Sequence, residues 1–162
     1  MIDMDLLIRE ATLDDAELIA ELTRACWFGR VASSSSGHRE TPSQVRDNLQ
    51  QGGAFILLDG QQPIGSVRWL PLDTVERIWE ISRMGVLPEW RGQQLSHNLL
   101  EAVIHHAHTC NVTELRLAVR ADQARLFDVY AAQGFELAME LEYTHTNPLE
   151  PAPTVMRKML RR

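Results

Sequence analysis

Apolar and polar residues change period several times along this chain, and each change predicts an element. Leu6-Leu7-Ile8-Arg9 is a short apolar run that reads as a first strand. Thr12 or Asp14 then offers a cap for a helix from Asp15 to Trp27, with Ala16, Ile19, Leu22 and Ala25/Cys26 at helical spacing. From Gly29 to Thr41 the chain turns polar around Ser33-Ser34-Ser35-Ser36-Gly37. This predicts a mobile loop rather than a domain boundary, since too little chain precedes it to fold alone. Thr41-Pro42 opens a second helix running to about Gln51, with proline at the first helical position, and Gly52-Gly53 ends it.

Ala54 to Leu58, then Asp59-Gly60, then Ile64 to Leu70 reads as a β-hairpin, because Asp-Gly is a favoured hairpin turn. Val75 to Val86 predicts a longer strand, stopped by Pro88, which cannot continue a ladder. Within it, period-2 alternation sets Ile78, Glu80, Ser82, Met84 and Val86 on one face. Leu95, Leu99, Val103 and Ala107, with Leu100 and Ile104 beside them, predict a helix to about His108. Thr113 to Arg120 alternates again, so strand, helix and strand make a βαβ crossover whose two strands lie parallel. Asp122 caps a further helix that Gly134 terminates. Phe135, Leu137, Met139, Leu141 and Tyr143 alternate as a strand, and a loop bearing Pro148, Pro151 and Pro153 leads to a last strand, about Thr154 to Leu160. The order β-α-α-β-β-β-α-β-α-β-β is mixed α/β, with no internal repeat.

The junction from Val86 to Leu100 carries the first chemistry. A strand, a tight Arg91-Gly92 turn and a helix start at Leu95 leave unpaired N–H groups at the positive end of the peptide dipoles. Arg91 adds a permanent cation, so the junction is an anion cradle. Just upstream, backbone N–H groups from Met84 to Val86 could polarise a bound carbonyl, with Gly85 easing a close backbone approach or marking a bulge.

At 162 residues and 44% hydrophobic content the chain suits one domain, residues 1–162, with a substantial core. A net charge of −6 argues against a nucleic-acid partner and is compatible with a cationic substrate such as an amine. Neither a basic-then-apolar leader nor an apolar run near ~20 residues is present, which argues against secretion and membrane spanning. Cys26 and Cys110 form no metal or disulfide spacing, so the expectation is a reduced, cytoplasmic protein. His97, Glu101, His105 and His108 share a helix face, but that spacing marks any solvated face, and no metal is assigned; His106 adds nothing. The cluster Trp27-Phe28-Gly29-Arg30 could line a substrate pocket or simply pack the core.

Val86-x-Pro88-x-x-Arg91-Gly92-Gln93-Gln94-Leu95-Ser96 resembles the Arg/Gln-x-x-Gly-x-Gly/Ala signature of the GCN5-related N-acetyltransferases. Ala121-x-x-Ala124-x-x-x-x-x-Tyr130-x-x-x-Gly134-Phe135 resembles a later helix of that family, and Met156-Arg157-Lys158 its final strand. The sequence departs at Gln94, where the family has its central glycine, and at Ser96, where it has a small last residue. The element order is similar along nearly the whole chain. The resemblance implies the acyl-CoA N-acyltransferase fold: a mixed, largely antiparallel central sheet with one parallel strand pair, flanked by helices.

It also implies acetyl-CoA as co-substrate, its pyrophosphate on the amides of Arg91, Gly92, Gln93, Gln94, Leu95 and Ser96, and its pantetheine along Met84, Gly85 and Val86. Glu80, at the family's offset before the cradle, would be general base; among apolar neighbours a carboxylate pKa rises, which suits that role. Tyr130 would be general acid, since a phenol pKa of ~10 lies close to that of an alkyl thiol. The implied reaction is direct attack by a primary amine of a small molecule or peptide in a ternary complex, with no nucleic acid, membrane or metal involved. The family often dimerises through its C-terminal strands. Two other classes compete: a non-catalytic acyl-CoA-binding or sensing module, which Gln94 keeps alive, and a small nucleotide-binding domain, which lacks the Gly-Lys-Ser/Thr it would need.

Overall fold

A computed structural model of the chain describes residues 5–28, 36–73, 75–92, 94–143, 148–149 and 151–160. The expected polar loop falls largely on residues 29–35, outside the described residues, as do Gly29 and Arg30 of the aromatic cluster. The elements are β1 (Leu6–Glu10), α1 (Ala16–Trp27), α2 (Pro42–Gln51), β2 (Gly53–Asp59), β3 (Gln62–Asp73), β4 (Ile78–Val86), α3 (Leu95–Thr109), β5 (Glu114–Val119), α4 (Leu126–Ala131), β6 (Glu136–Leu137) and β7 (Thr154–Met159). The strands form one seven-stranded sheet in the order β1-β2-β3-β4-β5-β7-β6. Of its six pairings, β4–β5 alone is parallel, as the βαβ pattern requires. No helix of the described residues is long and apolar enough to cross a membrane.

Alternation along β2 divides the core between the two faces of the sheet. Leu57 packs with Val67, Trp69, Ile81 and Leu115 under the apolar stripe of α3, which buries Leu95, Leu99, Leu100, Val103 and Ala107. Ala54, Ile56 and Leu58 belong instead to a second cluster with Ala16, Ile19 and Ala20 of α1 and Val45 of α2. His106, to which the sequence assigned nothing, lies against Phe55, Trp69 and Trp79 at ring-centroid distances of 5.6, 4.9 and 5.7 Å. It packs α3 onto the sheet.

The α1–α2 face also buries a charge. Arg68 of β3 is 1% exposed. Its guanidinium donates to Asn48 Oδ1 of α2 (3.0 Å) and Thr23 Oγ1 of α1 (3.0 Å), and pairs with Glu40 just before α2. Burial pulls the Arg68 pKa down, while the Glu40 charge and hydrogen bond oppose that pull. One side chain thus fastens two helices and their connection to the sheet.

Four expected boundaries move. β4 begins at Ile78, not Val75, because the Asp73 carboxylate accepts from the N–H groups of Val75 (2.9 Å) and Glu76 (3.0 Å) and holds a turn. The β2–β3 loop is Gly60-Gln61, since Asp59 still pairs with Gln62. Asp122 lies in a short 3-10 turn, and α4 starts later, at Leu126. The alternating run after Phe135 forms a strand only at Glu136–Leu137; Met139 is 75% exposed, and the chain turns away after Ala138. Alternation without a partner edge makes no strand.

Replacing Arg68 by Ala should destabilise the fold by roughly 3–5 kcal/mol, because it strands the buried Glu40 carboxylate. A denaturant melt measures this, and the double variant Arg68→Met/Glu40→Leu should recover most of the loss. A cost under ~1 kcal/mol for Arg68→Ala would mean that water reaches Glu40 freely.

Candidate active site

The parallel ladder lasts three residues: Ile78 opposite Glu114, Trp79 opposite Leu115, Glu80 opposite Arg116. β5 is paired with β7 along all of Glu114–Val119, while β4 stays with β3 up to Val86. Beyond Glu80 the two strands therefore part, and a cleft opens between them.

A bulge helps to turn β4 aside. Arg68 pairs with Ser82 and Ser66 with Gly85, so Val67 alone faces both Arg83 and Met84. Arg83 takes φ +53°, the left-handed region that non-glycine residues seldom occupy. The bulge also shifts the parity of the strand: Val86 joins Ile81 in the core under α3. This corrects the expectation of a single face running from Ile78 to Val86. A Cβ on Gly85 would come within 3.0 Å of both Cys26 Cβ and the Trp27 ring, so the missing side chain lets the end of α1 close on the bulge.

After β4, a 3-10 turn at Pro88–Trp90 leads to Arg91 and Gly92. Gly92 has φ +82° and nothing within 4 Å of where its Cβ would be. Gln93 lies outside the described residues. Gln94 is exposed and caps α3 at φ +60°, ψ +25°, while Leu95 is 3% exposed and Ser96 half-buried. A 15-residue helix thus starts from an open, left-handed turn. The Arg91 side chain donates to Val86 O (3.2 Å) and Cys26 O (2.5 Å), so it ties the turn to α1 and β4 as well as bringing a positive charge.

The cleft holds a cavity of about 690 Å³. Ile81, Ser82, Arg83 and Met84 line it from β4, and Leu117, Ala118 and Arg120 from β5 and its end. Trp27, Gln44 and Asn48 close the α1–α2 side; Leu126 and Tyr130 of α4, with Tyr143, close the other. Of the expected residues, Met84 and Tyr130 reach this cavity. Gly85 and Val86 follow Met84 on the same strand, and the turn from Arg91 to Ser96 continues from there. Glu80 is 4% exposed and lies at the closed end of the splay, behind the lining. Tyr130 is 8% exposed, its ring 6.1 Å from Phe135, and burial pushes its pKa up to about 12 against the opposing Arg125 charge.

The acetyltransferase (GNAT) family model matches residues 16–135. The chain belongs to this family of acetyltransferases. A mycothiol acetyltransferase of Streptomyces griseus subsp. griseus is 27% identical over 119 residues, 68% of this chain and 39% of that protein. This GNAT chain therefore matches well under half the length of that relative. Among solved structures, the PaiA N-acetyltransferase of Thermoplasma acidophilum in complex with coenzyme A superimposes with a TM-score of 0.76 at 16% identity, over 97% of this chain and 100% of that one. YncA of Salmonella typhimurium with its cofactor acetyl-CoA gives 0.74 at 15% identity, over 98% and 95%. At such identities the likeness shows the fold.

Tyr143 borders this cavity although no motif singles it out. Its alternating neighbours placed it on a strand, whereas the turn after Ala138 carries it to the cavity. Burial and then the Glu80 charge push its pKa up, while Arg83 and Arg120 oppose them, so all four groups are within electrostatic reach. Glu40, Arg83 and Arg120 were missed for the same reason: only tertiary folding gathers them. On α3, His97 contacts Glu101 (3.7 Å) and Gln133, and among the described residues no group of three or more His, Cys, Asp or Glu is disposed to hold a metal ion.

Gln94 pays the strain of a left-handed residue, about 1–2 kcal/mol. Gln94→Gly should relieve it, less the ~0.4–1 kcal/mol of extra freedom that glycine brings to the unfolded chain. The expected net gain is roughly 0.5–1 kcal/mol, or about 1–4 °C in Tm. Gly92→Val should instead cost about 1–3 kcal/mol, because its φ is positive and valine is β-branched. Thermal unfolding checks both signs; a fall in Tm for Gln94→Gly would show that its side chain makes a compensating contact.

Proposed function

We propose that this chain is a cytoplasmic acetyl-CoA-dependent N-acetyltransferase, one domain over residues 1–162, that acetylates a primary amine of a small molecule or peptide in a ternary complex. The observation that carries the reading is the splay of β4 from β5 beyond Glu80, followed directly by the open turn at the start of α3. Gly92 offers room at that turn, and Gln94 keeps a glycine-like φ with its side chain exposed, so the amides of Gly92, Gln94, Leu95 and Ser96 suit a pyrophosphate. Past Glu80, β4 has no β5 partner, so the backbone at Met84, Gly85 and Val86 can pair with an extended pantetheine as a strand would. Arg91 anchors the turn and contributes positive charge. Acetyl-CoA supplies an activated acyl group: the amine nitrogen bonds to the carbonyl carbon, the C–S bond breaks, the ammonium loses a proton and the thiolate gains one.

The chain's own residues then divide the work. The N–H groups beside the bulge polarise the acyl oxygen. Glu80, behind the lining, is the base that takes the ammonium proton, and its burial favours a relay through the cavity over direct contact. Tyr130, held protonated by its raised pKa, donates to the leaving sulfur. Cys26 is a poor nucleophile, because burial pushes its thiol up to about 12, which supports direct attack over an acetyl-enzyme. The competing view, a module that binds acyl-CoA without turning it over, keeps the same cradle and differs only in Glu80 and Tyr130.

Calorimetry should find acetyl-CoA binding in the micromolar range, and coenzyme A release should follow with some member of an amine panel. Gly92→Val should weaken binding more than Gln94→Gly changes it. An absence of binding at millimolar concentration would sink the cradle, and binding without release would favour the sensing module.

Glu80→Gln should lower kcat/KM by ~10²–10⁴, with the loss concentrated at low pH, where the wild-type base must be deprotonated to act. Tyr130→Phe should leave acetyl-CoA affinity nearly unchanged while kcat falls. Because an acid must be protonated and this one titrates at about 12, the wild-type rate should show no alkaline limb from Tyr130 below about pH 10. An unaltered pH–rate profile in Glu80→Gln, or normal kcat in Tyr130→Phe, would remove that residue from the mechanism.

A further inference from the structure

Glu80 is 4% exposed and stands behind the cavity lining, so a proton leaving an amine in the cleft needs a carrier to reach it. A carrier must accept one hydrogen bond and donate another at the cavity surface. Arginine has no acceptor, and a neutral amide does not readily give up its N–H proton, which sets aside Arg83, Arg120, Gln44 and Asn48 of the lining. The lining carboxylates Glu40 and Asp122 face arginines of their own. A hydroxyl both accepts and donates. Among the described residues, Ser82, Tyr130 and Tyr143 bring hydroxyls to the cavity. Tyr130 stands on α4, and Tyr143 on the connection between β6 and β7. Ser82 alone shares a strand with Glu80.

The register fixes where Ser82 lies relative to Glu80. Leu70 pairs with Glu80, Trp69 with Ile81 and Arg68 with Ser82, in unbroken succession. Glu80 and Ser82 therefore project from the same face of β4, with Cα atoms about 6.5 Å apart. A glutamate side chain spans that gap to a serine hydroxyl, directly or through one water. Leu70, opposite Glu80 on the same face, also lines the cavity. The bulge at Arg83 and Met84 begins only after Ser82, so it leaves this pair in register. The β4–β5 ladder ends at Glu80. Ser82 is thus the first residue on Glu80's face past the last rung, half-buried where Glu80 is enclosed. Arg68, its neighbour across the strand pair, donates instead to Thr23, Asn48 and Glu40.

We propose that Ser82 relays the proton from the acceptor amine to Glu80. The inference rests on the acetyltransferase reading and names the carrier that its buried base requires. As the ammonium N–H bond breaks, the Ser82 oxygen takes that proton while its own hydroxyl proton passes to a carboxylate oxygen of Glu80. Ser82 ends the step neutral, Glu80 carries the proton, and the freed nitrogen lone pair attacks the acyl carbon. Tyr143 feels the Glu80 charge as well, but no strand register ties it to Glu80.

The test follows coenzyme A release with whichever amine is turned over. Ser82→Ala should lower kcat by roughly 10- to 100-fold, at or below the low end of general acid–base assistance because water substitutes in part. KM for both substrates and Tm should stay nearly unchanged, and Ser82→Thr, which keeps the hydroxyl, should restore most of the rate. In a Glu80→Gln background, Ser82→Ala should cost less than about twofold more, because the two groups act on one proton. Ser82→Ala at the wild-type rate beside a slow Glu80→Gln would overturn the relay and leave the base in place, as would losses that multiply in the double variant. A loss that Ser82→Thr does not restore, accompanied by a lower Tm, would assign Ser82 to packing and overturn it equally. A Tyr143→Phe loss that vanishes in the Glu80→Gln background, with Ser82→Ala unaffected, would move the relay to the phenol. Full activity in Glu80→Gln would overturn base and relay together, and no release with any amine would overturn the transferase reading and the relay with it.

Discussion

The third strand pairing of the βαβ unit is where this molecule stops being a continuous sheet. β5 has two edges, and β7 occupies one of them along all of its length. β4 takes the other for three residues and then leaves it, because the bulge at Arg83 and Met84 bends it away. Every group that could do chemistry is arranged around that departure. Backbone amides of β4 lose their neighbour there, Glu80 marks the last rung, and the helix start that suits an anion follows from the diverging strand. A fully paired β4–β5 ladder would make a more regular sheet with no room for a substrate.

What keeps the opening in shape is a set of polar ties rather than apolar area alone. The end of α1 is held to the bulge by the absence of a side chain at Gly85, to the turn by Arg91 on Cys26 O, and to β3 by Arg68 on Thr23. Arg68 also reaches α2 through Asn48. A buried ion pair contributes little net stability compared with an apolar pair of the same shape, but it permits few alternative arrangements once formed. Here it fixes where two helices stand relative to the strand that borders the cleft.

Most of the frame was legible in the sequence because its signals are local. Thr41-Pro42 caps α2 as expected, the Leu95–Ala107 stripe is the buried face of α3, and Gly134 closes the α4 region at φ +91°. The open turn before α3 and the place of Tyr130 on the helix that borders the cavity follow the motif spacing. The bulge was not, since a single arginine at positive φ has no sequence signature, and it shifted the parity assigned to Val86. Tyr143 was misread because alternation from Phe135 to Tyr143 imitates a strand, whereas β7 offers only two residues of partner edge. Glu40, Arg83 and Arg120 reach the cavity only through contacts between distant segments, and no periodicity records those.

The family match ends at Phe135, yet Tyr143, Leu149, Pro151 and Pro153 help to enclose the cavity. They sit on a connection whose two ends are pinned, because β6 and β7 pair with each other at Glu136–Arg157 and Leu137–Met156. Lengthening or rewriting such a connection costs the fold little, since loop-closure entropy grows only slowly with length. The cavity is thus walled by separable stretches of chain, β4 and β5 within the family match and this connection beyond it. Editing this connection can reshape one wall of the cavity without disturbing the strands that form the other.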